Sequence, residues 1–200
     1  LETGLLKKDL QAVINKNIFA LAIGKIYSSK DVQEISKLVS ETEKTHKLEN
    51  GSIKLILWME TAQAIINAFD ILTSNQRIVG SAFGAEDFTN DMGIHRTENE
   101  DEILFARNQL SVASKAANVI ALDTPFFAFK DPDALKKNSL FARSIGFKGK
   151  FAIHPAQIDV INECFSPSQK EIDHALKVIE TFEEAKKHGR GSTSLDGLVI

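Results

Sequence analysis

One cysteine, Cys164, in 200 residues excludes an internal disulfide framework and a zinc site built from cysteines. Long apolar runs are also missing: nothing approaches the roughly 18–20 residues that a membrane span needs. Charge of one sign is scarce. The net charge is −3 with 26% charged residues, which leaves no electrostatic footprint for nucleic acid or a membrane surface. No Gly/Ser linker, low-complexity tract or repeated sequence divides the chain. The low cysteine content fits a reducing compartment, so the expectation is cytoplasmic, or the mitochondrial matrix in a eukaryote. What is present is 43% hydrophobic residues, enough for one domain with a sizeable core.

Five short apolar runs recur, each followed by helical spacing. Ile18–Ile26 precedes a helix over 30–46, which Ser29 would cap and Asn50-Gly51 would end. Ile53–Met59 precedes a helix over 62–72. Ile78–Phe83 precedes a polar stretch and a long helix over 99–117, whose start carries the capping-box spacing Thr97-Glu-Asn-Glu100. Val119–Leu122 precedes a helix over 132–145, with Gly146 just past its end. Phe151–His154 precedes a helical turn over 156–164 and a helix over 169–188, capped by Ser168 and Glu171 and stopped at Gly189. Alternation of this kind predicts an α/β fold with a parallel sheet.

The strand ends carry chemistry. Lys25, Glu60, Glu86 with Asp87, Asp123 and His154 each stand where an apolar run stops. Glu60 and Asp87 lie 27 residues apart, about one strand-helix-strand unit, so both arrive at one C-terminal rim. Two hard oxygen ligands without a His or Cys cluster suit Mg²⁺ better than Zn²⁺. The blander alternative pairs Glu60 with Lys25 or Arg77 and makes Asp87 a turn cap. Gly84 permits close approach of backbone, so the Gly84 and Ala85 amides are candidates for a substrate carboxylate. Glu86 stands behind the pair as a group that could orient Lys25 or the metal's water. Asp123 either lines the mouth or holds the loop over 124–131, and His154 is either a general base or a structural hydrogen bonder. The cluster Phe126-Phe127-Ala-Phe129 reads as core or an interface patch, with an adenine platform as the sharper alternative, and Cys164 as buried packing.

Three stretches in order resemble a known family: W-M-E-T-A-Q-A-I (58–65), F-G-A-E-D-F (83–88) with D-M-G (91–93), and A-R-S-I-G-F-K-G-K-F-A-I-H-P-A-Q-I (142–158). The chain resembles the citrate lyase β-subunit-like family, which includes malyl-CoA and citramalyl-CoA lyases. Resemblance implies a (βα)₈ TIM barrel, of which these would be units four to eight: a partial barrel over 1–188 and the start of a C-terminal tail over 189–200. It implies a Mg²⁺-dependent cleavage of a β-hydroxyacyl-CoA or acyl-carrier-protein thioester to an acetyl thioester and a 2-oxo acid. Glu60 and Asp87 would be the metal ligands, and Glu60, Gly84, Ala85 and Lys25 would meet the substrate.

The family's N-terminal arginine has no counterpart here, and its tail aspartate would follow the stretch Gly197-Leu-Val-Ile200 at which the sequence stops. The expectation is therefore a fragment, inactive alone, from a homo-oligomer (a trimer by resemblance) whose site a neighbour's tail completes. One departure is Tyr27 in G-K-I-Y-S (24–28), where relatives often carry glutamate. The competing expectations are a non-catalytic acyl-CoA-binding scaffold and an open, doubly wound five-stranded binding domain.

Overall fold

A computed structural model describes residues 4–195 and the backbone of 198–199. Helix α1 (Leu6–Val13) leads into β1 (Ala20–Ile23), α2 (Ser29–Thr45) and β2 (Lys54–Met59). Two short helices, α3 (Ala62–Ile66) and α4 (Ala68–Leu72), precede β3 (Ile78–Phe83), α5 (Ala85–Met92) and α6 (Asp101–Ala116). Then come β4 (Ile120–Asp123), α7 (Pro132–Ser144) and β5 (Gly149–Lys150). A 3₁₀ turn (Pro155–Gln157), α8 (Ile158–Phe165) and α9 (Gln169–Lys187) follow, then a two-stranded antiparallel pairing of β6 (Ser194–Leu195) with β7 (Leu198–Val199). No described helix is long and apolar enough to cross a membrane.

Strands β1 to β5 form one parallel sheet in the order of the sequence. It has no reversal of order, so it lacks the switch point that defines a doubly wound sheet. Strand β2 alternates: Leu55, Leu57 and Met59 are fully buried under the helices, where Val32, Ile35 and Val39 of α2 and Ile103, Ala106 and Leu110 of α6 meet them at helical spacing. On its other face, Trp58 packs on Phe151 with ring centroids 4.5 Å apart. The register places Met59 beside Phe83, so Glu60 and Gly84 leave the sheet side by side.

Several expected boundaries shift, each for a local reason. Ser28 precedes α2, and its N–H and hydroxyl both donate to Asp31, which makes Ser28 the cap in place of Ser29. Helix α2 stops at Thr45, four residues and more before Asn50-Gly51, because Lys47 turns the chain at φ +58°. The helix expected over 62–72 breaks at Asn67 into two. Residues 85–92, within the stretch expected only to be polar, form α5. The box at Thr97–Glu100 does not form: Glu100 is left-handed and its carboxylate is taken by Arg96, Arg107 and Asn138, while Thr97 donates to Glu102. The fifth strand of the parallel sheet is Gly149–Lys150 and ends short of 151–154, where Pro155 begins a 3₁₀ turn instead of continuing the ladder. The box at Ser168 and Glu171 forms as expected. The tail residues Gly197 and Ile200, and the side chains of Leu198 and Val199, lie outside the described residues.

The pole opposite the rim is tied by a buried ion pair. Arg77 Nη2 lies 2.6 Å from Glu43 Oε2, and the amides of Ile53 and Gly51 also donate to Glu43. Burial alone would push the Glu43 carboxyl up, but Arg77 and those amides outweigh it and hold it below the usual range. The stability it contributes is complete above its unfolded pKa and is lost as pH falls through the lowered folded value. Arg77 is therefore committed to Glu43 and does not pair with Glu60.

Candidate active site

Glu60 follows β2 directly and is 6% exposed. It stands in a slot between two glycines. A Cβ at Gly24 would fall 2.9 Å from Glu60 Oε1, and one at Gly84 would fall 2.7 Å from its Cβ and 2.8 Å from Oε2. The chain thus meets the carboxylate on both sides with residues that have no side chain. Gly84→Ala is expected to shift Glu60 bodily, since the clash is with Cβ and not a flexible tip. The expected outcome is a loss of about 1–3 kcal/mol in a denaturation curve. Unchanged stability would show that the slot does not hold Glu60.

Asp87 sits in the first turn of α5 and is half-exposed. The two carboxylates face each other, and Lys25 lies between them. Its Nζ is 2.8 Å from Asp87 Oδ1 and 3.9 Å from Glu60 Oε1, while its backbone N–H donates to Glu60 Oε1 at 2.8 Å. Burial is the main cause that pushes the Glu60 carboxyl up, with the neighbouring Asp87 charge adding to it and the Lys25 amide and ammonium opposing it. The hydrogen bond to Asp87 pushes the Lys25 ammonium up, against a smaller desolvation effect.

Two supports escaped the sequence reading. Asp91, in the D-M-G stretch, accepts the Ala62 N–H at 2.8 Å and so ties α5 to the turn after Glu60. Thr61 caps the same turn by accepting from Ala64. The only sequence signal was the spacing of D-M-G behind F-G-A-E-D-F, and it names no partner.

The other candidates are placed as follows. The Gly84 N–H donates to Met59 O at 3.2 Å and the Ala85 N–H to Thr124 Oγ1 at 3.3 Å, so both amides already have internal acceptors. Glu86 points to Arg96 at 3.6 Å and is more than half exposed. Asp123 does not reach the mouth. It is fully buried between Arg107 and Lys150, whose side chains are at most 1% exposed. His154 accepts from the Ala156 N–H and stacks on Phe129 at 4.8 Å, away from the carboxylate pair. Cys164 is buried, and burial pushes its thiol up.

Among the described residues, no group of three or more His, Cys, Asp or Glu is placed to hold a metal ion. A pair of carboxylates suffices for an ion that takes most of its ligands from water or substrate. Mg²⁺ keeps most of its ligands as water or substrate oxygen and takes one or two carboxylates, which matches Glu60 and Asp87. Two facing carboxylates call for a cation, and the glycine slot fixes the more buried one. The donor set fits that ion. Beside it, reaching Glu86, lies a cavity of about 950 Å³ with an aromatic wall of Phe126, Phe127 and Phe141 and polar groups Arg96 and Asn138.

Residues 1–155 match the model of the HpcH/HpaI aldolase/citrate lyase family. Over 199 residues the chain is 33% identical to the citrate lyase subunit beta of Haemophilus influenzae, covering all of this chain and 68% of that protein. It is 31% identical over 196 residues to a (3S)-malyl-CoA thioesterase of Cereibacter sphaeroides, covering 97% of this chain and 64% of that one. Among solved structures, a citrate lyase from Burkholderia xenovorans superposes with a TM-score of 0.83 at 21% identity, over 98% of this chain and 62% of that one. Protein CitE from Mycobacterium tuberculosis, in complex with magnesium and pyruvate, gives 0.67 at 25% identity over 81% and 63%. The chain spans about two thirds of the length of the curated relatives it matches.

Proposed function

The chain belongs to the HpcH/HpaI aldolase/citrate lyase family, and from that premise we propose that it carries the metal-binding half of a carbon–carbon lyase acting on a β-hydroxyacyl thioester. The substrate class is citramalyl-, malyl- or citryl-CoA, or the equivalent thioester on an acyl-carrier protein. In the cleavage direction the hydroxyl gives up its proton, the adjacent carbon–carbon bond breaks, and its electron pair passes to the thioester as an enolate. Protonation of that carbon leaves acetyl thioester, and the former carbinol carbon leaves as the carbonyl of a 2-oxo acid.

The observation that carries this reading is the carboxylate pair at the sheet rim: Glu60, held between Gly24 and Gly84, and Asp87, linked to it through Lys25. These two residues would hold Mg²⁺, which supplies a Lewis acid for the carboxylate and hydroxyl oxygens of the substrate. Lys25 adds a positive charge beside an anionic substrate. The neighbouring cavity combines an aromatic wall with many charged and polar groups, among them Arg96, Glu100, Lys137 and Asn138, and we assign it to the thioester arm. We place the five βα units within a (βα)₈ barrel whose N-terminal units would bring the arginine, while the C-terminal tail of a neighbouring subunit would bring the acid.

A carrier-protein-dependent reading has its own support, since the relative above at 33% identity is a citrate lyase subunit beta. One assay separates the possibilities. The full-length parent protein is incubated with each CoA ester and with a carrier-protein thioester, with Mg²⁺ or with EDTA, and products are followed by mass spectrometry. EDTA-sensitive release of acetyl-CoA supports the lyase on free CoA esters, and cleavage of the carrier thioester alone supports the complex subunit. Free CoA with an intact hydroxy acid would show thioester hydrolysis and overturn the lyase reading.

A further inference from the structure

The Lys25 ammonium occupies the position from which one cation can serve both carboxylates. Its backbone is arranged to keep it there. Lys25 has φ +56°, the left-handed region that side-chain-bearing residues rarely adopt. In that conformation its N–H meets Glu60 while its ammonium meets Asp87. Backbone outliers of this kind persist only where surrounding contacts over-determine them, and they cluster at functional sites. The side chain is 45% exposed, so solvent is open for it to swing into.

We propose that Lys25 is a built-in competitor for the divalent cation: its ammonium neutralises Glu60 and Asp87 until the metal displaces it, and it then faces the incoming carboxylate. This inference rests on the metal reading above. A lysine ammonium and Mg²⁺ compete for the pair, because they repel each other and both draw on the Asp87 carboxylate, which Lys25 Nζ already holds at 2.8 Å. Without the metal, the trio of Glu60, Asp87 and Lys25 is one charge negative and repels an anionic oxo acid. With the metal, the same trio is one charge positive and attracts it. Metal binding and anion binding are therefore coupled through one side chain, and the order is metal first.

The test uses Mn²⁺ as the probe, with free ion read by electron paramagnetic resonance, on wild type, Lys25→Met, Lys25→Arg and Asp87→Asn. Lys25→Met keeps the backbone N–H to Glu60, and circular dichroism checks its fold. It is expected to bind Mn²⁺ roughly ten- to a hundredfold more tightly than wild type, the scale of one nearby charge acting on a divalent ion near a protein surface. Lys25→Arg keeps the charge and should stay within about threefold of wild type. With saturating Mg²⁺, pyruvate binding to Lys25→Met should weaken at least about tenfold by calorimetry, as for a lost charge-assisted contact. Equal or weaker Mn²⁺ binding by folded Lys25→Met overturns the competitor role. If Asp87→Asn abolishes binding in that case, the metal reading stands and this inference alone fails. If neither wild type nor Lys25→Met binds Mn²⁺, both fail together.

Discussion

Asp123→Ala is expected to cost the protein about 3–5 kcal/mol, the usual penalty for breaking a buried ion pair from one side. Asp123 has no exposed surface and is the shared partner of two cations. Arg107 donates to it from Nε at 3.1 Å and from Nη2 at 2.8 Å, and Lys150 Nζ donates to the same carboxylate. Glu100, on the far side of Arg107, supplies the second negative charge at 2.9 Å. Removing Asp123 leaves two buried cations with one acid between them.

Lys150 should then respond to pH. Burial is the main cause that pushes its ammonium down, with Asp123 opposing. Loss of Asp123 pushes it further down. The unfolded state of the variant then binds more protons than the folded state, so its stability rises as pH rises from the folded pKa of Lys150 towards the ordinary lysine value of 10.5. The measurement is a urea denaturation series across pH with an unchanged slope. A loss below about 1 kcal/mol, or no gain on the alkaline side, would show that the triad is not the internal clamp its geometry describes.

Glu60→Gln is expected to do two opposite things. Metal binding, and the activity proposed for the full-length parent, should fall by three orders of magnitude or so, the scale for a group that anchors the charge in a reaction. Stability without metal should rise. The Glu60 carboxyl is pushed up by burial and by Asp87, so its ionised form is held at a cost. The sign follows: stability from this group is present below the unfolded carboxylate pKa and is lost as pH rises through the raised folded value. The neutral amide removes that loss and still accepts the Lys25 N–H in the glycine slot. A gain on the order of 1 kcal/mol corresponds to roughly 2–4 °C in Tm for a chain of this size. Thermal melts at neutral and acid pH check it: the gain should shrink as pH falls. A variant less stable than wild type at neutral pH would mean that Glu60 is structural.

Much of the frame could be read from local pattern. The order of strands and helices, the apolar runs that end in Glu60 and before Gly84, and the box at Ser168 all depend on neighbours within a turn or two. The failures share a cause. Thr97 and Glu100 have the spacing of a cap, yet Glu100 is claimed by Arg107, seven residues on, and Asn138, 38 residues on. Asp123 has the position of a rim acid, yet a buried arginine and a buried lysine draw it inside. The sequence shows a titratable group at a strand end but not the direction in which it turns.

The sequence by itself determined that two acids leave a parallel sheet one unit apart, because hydrophobic period and turn chemistry are local properties of the chain. It also determined that glycine precedes Lys25 and Ala85. Only tertiary structure decided that those glycines flank Glu60 from two different loops, and that the Lys25 ammonium reaches Asp87 across 62 residues. The reason is physical: the free energy of a buried charge depends on which opposite charge and how much water surround it. That environment is assembled from residues distant in sequence, and no local spacing records it.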